Sequence, residues 1–175
     1  YSGFSRMHHQ RTWDAILNTP ITLDDIVLSE ILWAATKSLM SGVAVLLVIW
    51  IMGMSHHWLS LWTVPLALLI GLCFAAVGLI MTSLAPSYDF FMYYFTLFIT
   101  PMMMLSGVFF PVDQLPVMLQ NVSSVLPLTH SIDLARPLLN GLIPEHIALH
   151  LAVIFSYTLA GFYLSLILFR HRLSK

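Results

Sequence analysis

Lys37 stands alone as a charge within residues 31–54. An ammonium in an apolar stretch is costly, and it marks a pathway or a partner unless its stem carries the charge back to a polar boundary. Tyr93 and Tyr94 lie inside a second apolar stretch, 90–110, where hydroxyls and ring faces can meet an amphiphile. Tyr88, at its edge, matches the ordinary enrichment of tyrosine at membrane surfaces. Pro101 follows Thr100 in the middle of that stretch. It removes a backbone donor and crowds the carbonyl of Leu97, a group that Thr96 or Thr100 can answer. Met102, Met103 and Met104 come next, with side chains that adapt to changing neighbours. Such a kink suits either a moving helix or a static one. Asp133 and Arg136, three apart, can pair on a short helix and form an outer gate.

Other chemistries lack their devices. No Gly-x-x-x-x-Gly-Lys-Ser/Thr loop occurs, so the chain cannot cradle and hydrolyse ATP that way. His8–His9 and His56–His57 are adjacent pairs that point about 100° apart on a helix and do not converge on one ion. With neither His-Glu-x-x-His nor Cys-x-x-Cys, no metal site is expected. The lone Cys73 excludes an intrachain disulfide.

The elements that must position these residues are four blocks, 31–54, 61–84, 90–110 and 147–169, each nearly free of charge. A bilayer core is crossed by roughly 20 apolar residues. Mean hydropathy of +0.88 with 9% charged residues agrees, and the chain reads as an all-α integral membrane protein. A net charge of −1 leaves no footprint for nucleic acid. Arg6 and Arg11 precede the first block, Arg170, Arg172 and Lys175 follow the last, and Arg136 falls on the other side. Positive residues stay inside, which puts both visible ends in the cytoplasm and makes 85–89 an inner turn. The chain starts at Tyr1 without a signal peptide, and we expect spans to precede it.

Residues 1–22 form a region apart from the membrane domain, 23–175. Residues 7–17 read as a short helix stopped at Asn18-Thr19-Pro20. Thr22 is the N-cap of the next helix, with Asp25 three residues on. Small residues form stripes at Ala34, Ser38 and Gly42, at Ala67, Gly71 and Ala75, and at Ala152, Ser156 and Ala160. They suit close packing in lipid, within one bundle or between two copies. Residues 111–144 carry an interfacial helix ended by Pro127, then a short helix over 129–140 capped near Gly141 and bent or shortened by Pro137. Neither is long enough to cross, so they read as an outer re-entrant pair.

Two runs carry a resemblance. Arg6-Met-His-His-Gln-Arg-Thr-Trp-Asp-Ala-Ile-Leu-Asn-Thr-Pro-Ile21 is one. Ser87-Tyr-Asp-Phe-Phe-Met-Tyr-Tyr-Phe95, leading to Ile99-Thr-Pro-Met-Met-Met-Leu-Ser-Gly-Val-Phe-Phe-Pro-Val-Asp-Gln-Leu-Pro116, is the other. Both resemble the permease subunit of type-2 ABC exporters, closest to the nodulation-protein-J-like branch linked with export of lipo-oligosaccharides. The resemblance implies six spans, four of them visible here. It implies that the short first helix is a cytoplasmic coupling helix on an ATP-binding-cassette ATPase, with Arg11, Trp13, Ile16 and Leu17 as coupling residues. It implies a dimer of permeases with two ATPases, in a bacterial inner membrane, with substrate passing between the copies along Lys37, Tyr93, Tyr94 and Pro101. ATP and Mg would belong to the partner, with no cofactor in this chain. Alternatives are a drug or lipid exporter of the same architecture, an intramembrane enzyme built on His130, Asp133 and Arg136, and a scaffold subunit without a pore.

Overall fold

The computed structural model describes residues 4–6 and 12–173. Every regular element among the described residues is helical, with no strand among them. A short α1 (Thr12–Leu17) leads to α2 (Leu23–Ile51), and a 3-10 turn at Trp58–Trp62 opens α3 (Thr63–Leu84). The third block is α4 (Asp89–Tyr94), a π-helical segment (Phe95–Ile99) and α5 (Thr100–Leu105) in unbroken succession. The short α6 (Val117–Ser123) and α7 (Pro127–Leu139) precede α8 (Ile147–Leu173).

Local chemistry explains the boundaries. Thr22 and Asp25 form a full capping box, the Thr22 hydroxyl receiving the Asp25 N–H and the Asp25 carboxylate receiving the Thr22 N–H. Asp24 and Asp25 then sit at the positive end of the helix dipole. Gly141, at φ +73°, lets the chain leave α7 in a left-handed conformation. There the Leu142 N–H reaches back to the Pro137 carbonyl and the Gly141 N–H to that of Leu138.

Three helices are long and apolar enough to cross a membrane: Leu23–Ile51, Trp58–Leu84 and Ile147–His171. α2 runs antiparallel to both α3 and α8, which run parallel to each other because the chain crosses back between them, and the three pack as a bundle with α3 between α2 and α8. At one end Arg170 meets Asp24, and at the other Ser55 donates to the Leu139 carbonyl. The α2–α3 seam uses small residues. A Cβ on Gly71 would lie 2.5 Å from the Ser38 Cβ and 3.1 Å from the Ala35 Cα, and one on Gly42 would lie 2.6 Å from the Ala67 Cβ. Ser38 also donates to the Ala67 carbonyl at 2.9 Å. Two of the expected stripes thus meet within one chain, tightest at Gly71 and Ser38, with Ala35 rather than Ala34 beside them. The third stripe, Ala152, Ser156 and Ala160, stays exposed, and α8 meets α3 through Gly161 and Ala76 instead.

Several sequence expectations need correction. The third block is helical only over Asp89–Leu105, about 26 Å of helix rise, and it stops short of 110 because Gly107 turns the chain at φ +81°. Pro127 does not end a preceding helix. It is the first residue of α7, where a missing N–H costs nothing. Pro137 lies within the last turn of α7, which ends at Leu139.

Candidate coupling site and translocation face

At the Arg170 end, α1 is set into the bundle by an aromatic plug. Trp13 is 1% exposed, and its ring centre is 4.9 Å from that of Phe169 near the end of α8. Ile26, Val27 and Ile31 of α2, Ala76 and Leu79 of α3, and Phe4 complete this core. Ile16 packs against it half-buried. Arg11 lies outside the described residues, as does the side chain of Leu17. Trp13 was expected to be a contact on the surface, yet it faces inward and holds the helix in place. A buried tryptophan of this kind is worth about 3–5 kcal/mol when truncated to alanine.

Two ion pairs flank the plug. The Arg6 guanidinium donates to Glu30, a carboxylate only 7% exposed, at 2.9 Å. Arg170 reaches both oxygens of Asp24, at 2.8 and 2.7 Å, tying the last helix to the start of α2. The second pair is open to water, which weakens it, so it steers more than it holds.

The third-block helix is held at its ends. Phe4 stands edge-on to Tyr88 and Phe91, at 5.0 and 5.3 Å between ring centres. At the far end Arg136 donates to the carbonyl of Gly107 at 2.6 Å. Between these ties Tyr93, Leu97 and Phe98 are each more than 60% exposed. Tyr94 stacks on Phe98 at 5.9 Å within the same helix. Pro101 follows the wide π turn, in which the Thr100 N–H bonds the carbonyl of Phe95 five residues back. The Thr100 hydroxyl reaches that same carbonyl at 3.2 Å, not the one of Leu97. The proline is therefore absorbed by one loose turn. Lys37 is exposed on α2, with its ammonium 5.2 Å from the Trp33 ring centre. The structure does not gather Lys37, Tyr93, Tyr94 and Pro101 into one pocket.

The expected outer gate is not an ion pair. Arg136 turns to Gly107, and Asp133 is exposed with no salt bridge among the described residues. His130 bonds elsewhere. Its Nε2 lies 3.0 Å from the Ser124 carbonyl and its Nδ1 lies 2.7 Å from the Nδ1 of His150. A carbonyl only accepts, so Nε2 carries a hydrogen, and in the neutral ring Nδ1 then accepts. His150 must donate from Nδ1. This latch joins α7 to α8, and Tyr157 adds a bond from α8 to the Val125 carbonyl. An apolar groove of about 770 Å³ opens beside it, lined by Trp62, Leu69, Leu138 and Phe155 among others. Sequence reasoning missed Phe169, Glu30 and His150. A charge or aromatic at the border of each block was the available signal for the first two, and a twenty-residue separation hid the third.

Residues 2–140 match the family profile described as ABC-2 type transporter. The chain is 46% identical over 175 residues to Nodulation protein J of Rhizobium leguminosarum bv. viciae, covering all of this chain and 68% of that protein. It is 47% identical over 174 residues to Nodulation protein J of Rhizobium meliloti (strain 1021), covering 99% and 66%. It is 42% identical over 175 residues to Nodulation protein J of Bradyrhizobium diazoefficiens, covering 100% and 67%. The chain spans about two thirds of the length of these curated relatives. No solved structure matches it at comparable stringency. The chain belongs to the ABC-2 type transporter family. It is a multi-pass membrane permease subunit of an ATP-driven exporter, and nucleotide is bound and hydrolysed by a separate ATP-binding-cassette subunit. The intramembrane-enzyme reading falls with that assignment.

Proposed function

We propose that this permease works as a dimer in a bacterial inner membrane, with both visible ends cytoplasmic, and carries an amphiphilic lipo-oligosaccharide outward. The name shared by the relatives and the resemblance of the two sequence runs support that substrate class over a drug or a simple lipid. The distribution of Arg6, Arg11, Arg170 and Arg172 against Arg136 supports the orientation. In this reading α1 is the coupling helix, and residues 1–22 are its region. The observation that carries it is the buried Trp13 on Phe169. A short helix that must pass motion from a motor to the membrane needs a rigid root, and this root reaches α2, α3 and α8 together. Arg11, Ile16 and Leu17 then meet the ATPase, while Trp13 transmits. Substrate follows Lys37, Tyr93, Tyr94 and Pro101 between the two copies, with Asp133 and Arg136 at the exit.

The test is Trp13→Ala in the reconstituted complex of permease and ATPase. Permease-stimulated ATP hydrolysis should fall at least tenfold while the subunits still co-purify, and Trp13→Phe should recover much of it. Arg11→Ala should weaken ATPase binding itself. Full stimulation by Trp13→Ala, with assembly intact, would refute the assignment of α1.

A further inference from the structure

Two cations converge on one indole at the edge of the membrane. The Arg6 guanidinium carbon lies 5.9 Å from the ring centre of Trp33, and the Lys37 ammonium lies 5.2 Å from it. Arg6 is answered by Glu30. Lys37 forms no ion pair among the described residues. The spot therefore keeps one uncompensated positive charge beside a ring that is 47% exposed.

Its depth follows from the helix. Lys37 lies fourteen residues before Ile51, the end of α2, or about 21 Å along the axis. A hydrocarbon core of about 30 Å leaves its Cα roughly 9 Å inside the leaflet on the Arg170 side. The side chain leans toward Trp33, one turn nearer that surface, and so does not point into the bundle. Ammonium and indole N–H groups at this level meet headgroups from the side. Leu32 and Met40, both exposed, flank them with an apolar strip on the same helix.

We propose that Trp33, Lys37 and Arg6 form a binding site for the phosphate of an anionic phospholipid in that leaflet. The ammonium supplies charge and three donors, the outer edge of the guanidinium supplies more, and an acyl chain lies along Met40, deeper on the same helix. The committed occupant is a lipid and not free phosphate, because a soluble anion leaves the apolar strip bare and has to enter from hydrocarbon. The site does not depend on the orientation proposed above; it shares Lys37 with the proposed substrate path, and the experiment below reads lipid selectivity, not export.

The experiment uses the full-length permease with its ATPase in lipid discs containing spin-labelled phosphatidylglycerol or phosphatidylcholine. Wild type should hold the phosphatidylglycerol label about fivefold more strongly than the phosphatidylcholine label, the scale of one basic residue at an anionic surface. Lys37→Gln and Trp33→Ala should each abolish most of that preference. Lys37→Arg should keep it, and Lys175→Gln, a control for net charge, should leave it unchanged. Equal preference in wild type and in both loss variants would overturn the site. So would release of the lipid label by millimolar inorganic phosphate. Should Lys37→Gln fail to fold, Trp33→Ala against Lys37→Arg decides the question alone.

Discussion

The α2–α3 seam and the Asp89–Leu105 helix are built of similarly apolar residues and held in opposite ways. At the seam, Gly42 and Gly71 bring two backbones together so closely that a single methyl finds no room. Lipid is as apolar as the side chains, so this contact rests on close packing and on the Ser38 bond to Ala67. The Asp89–Leu105 helix has no such seam among the described residues. It is held at its ends, by Phe90 and Phe91 against the core around Phe4 and by the bond from Arg136 to Gly107, while Tyr93, Leu97 and Phe98 stay bare. A closely packed bundle and a helix left bare along its middle divide the chain between them.

The sharpest way to break the contrast is Gly71→Val. Overpacking against the Ala35 backbone should cost about 3 kcal/mol, at the upper end of such changes, read as a lower thermal midpoint in lipid discs. Next in size is His130→Ala. It removes both bonds of the latch, to His150 and to the Ser124 carbonyl, and hydrogen exchange across Pro127–Leu139 should rise while exchange in α2 and α3 stays unchanged.

Arg136→Gln is a smaller step. It loses a charge-assisted bond to Gly107 and should speed exchange at residues 100–107 by about three- to tenfold, leaving α2 and α3 unchanged. The smallest effect belongs to Leu97→Ala, which should move stability by no more than about 0.5 kcal/mol in the isolated chain. A loss of several kcal/mol in the assembled transporter but not in the chain alone would sharpen the comparison, because it would place a partner on this face.

Where the chain's own chemistry is local, it could be read directly. The capping box at Thr22 and Asp25, the start of α2 at Leu23, the turn at Asn18-Thr19-Pro20 and the cap at Gly141 all follow from residues within a few positions of each other. The four apolar blocks were legible for the same reason, though the third is interrupted by a π turn that hydropathy does not register. Proline misled at Pro127, which opens a helix where it was expected to end one, and only the neighbouring geometry decides between opening and breaking. Contacts between distant residues were out of reach. Trp13 with Phe169, Arg6 with Glu30, and His130 with His150 bear no fixed spacing, and nothing in a single chain says that a tryptophan expected on a surface will turn inward.

The plug at Trp13 also sets an order of events during synthesis. Its ring sits beside the start of α2, yet its main partner, Phe169, lies in α8 and is synthesised long after it. Until α8 has inserted, the plug lacks its main ring partner, so in the proposed role of α1 an incomplete chain cannot offer a finished handle to a motor. On that reading half-made copies are kept from recruiting, and idly stimulating, the subunit that spends ATP.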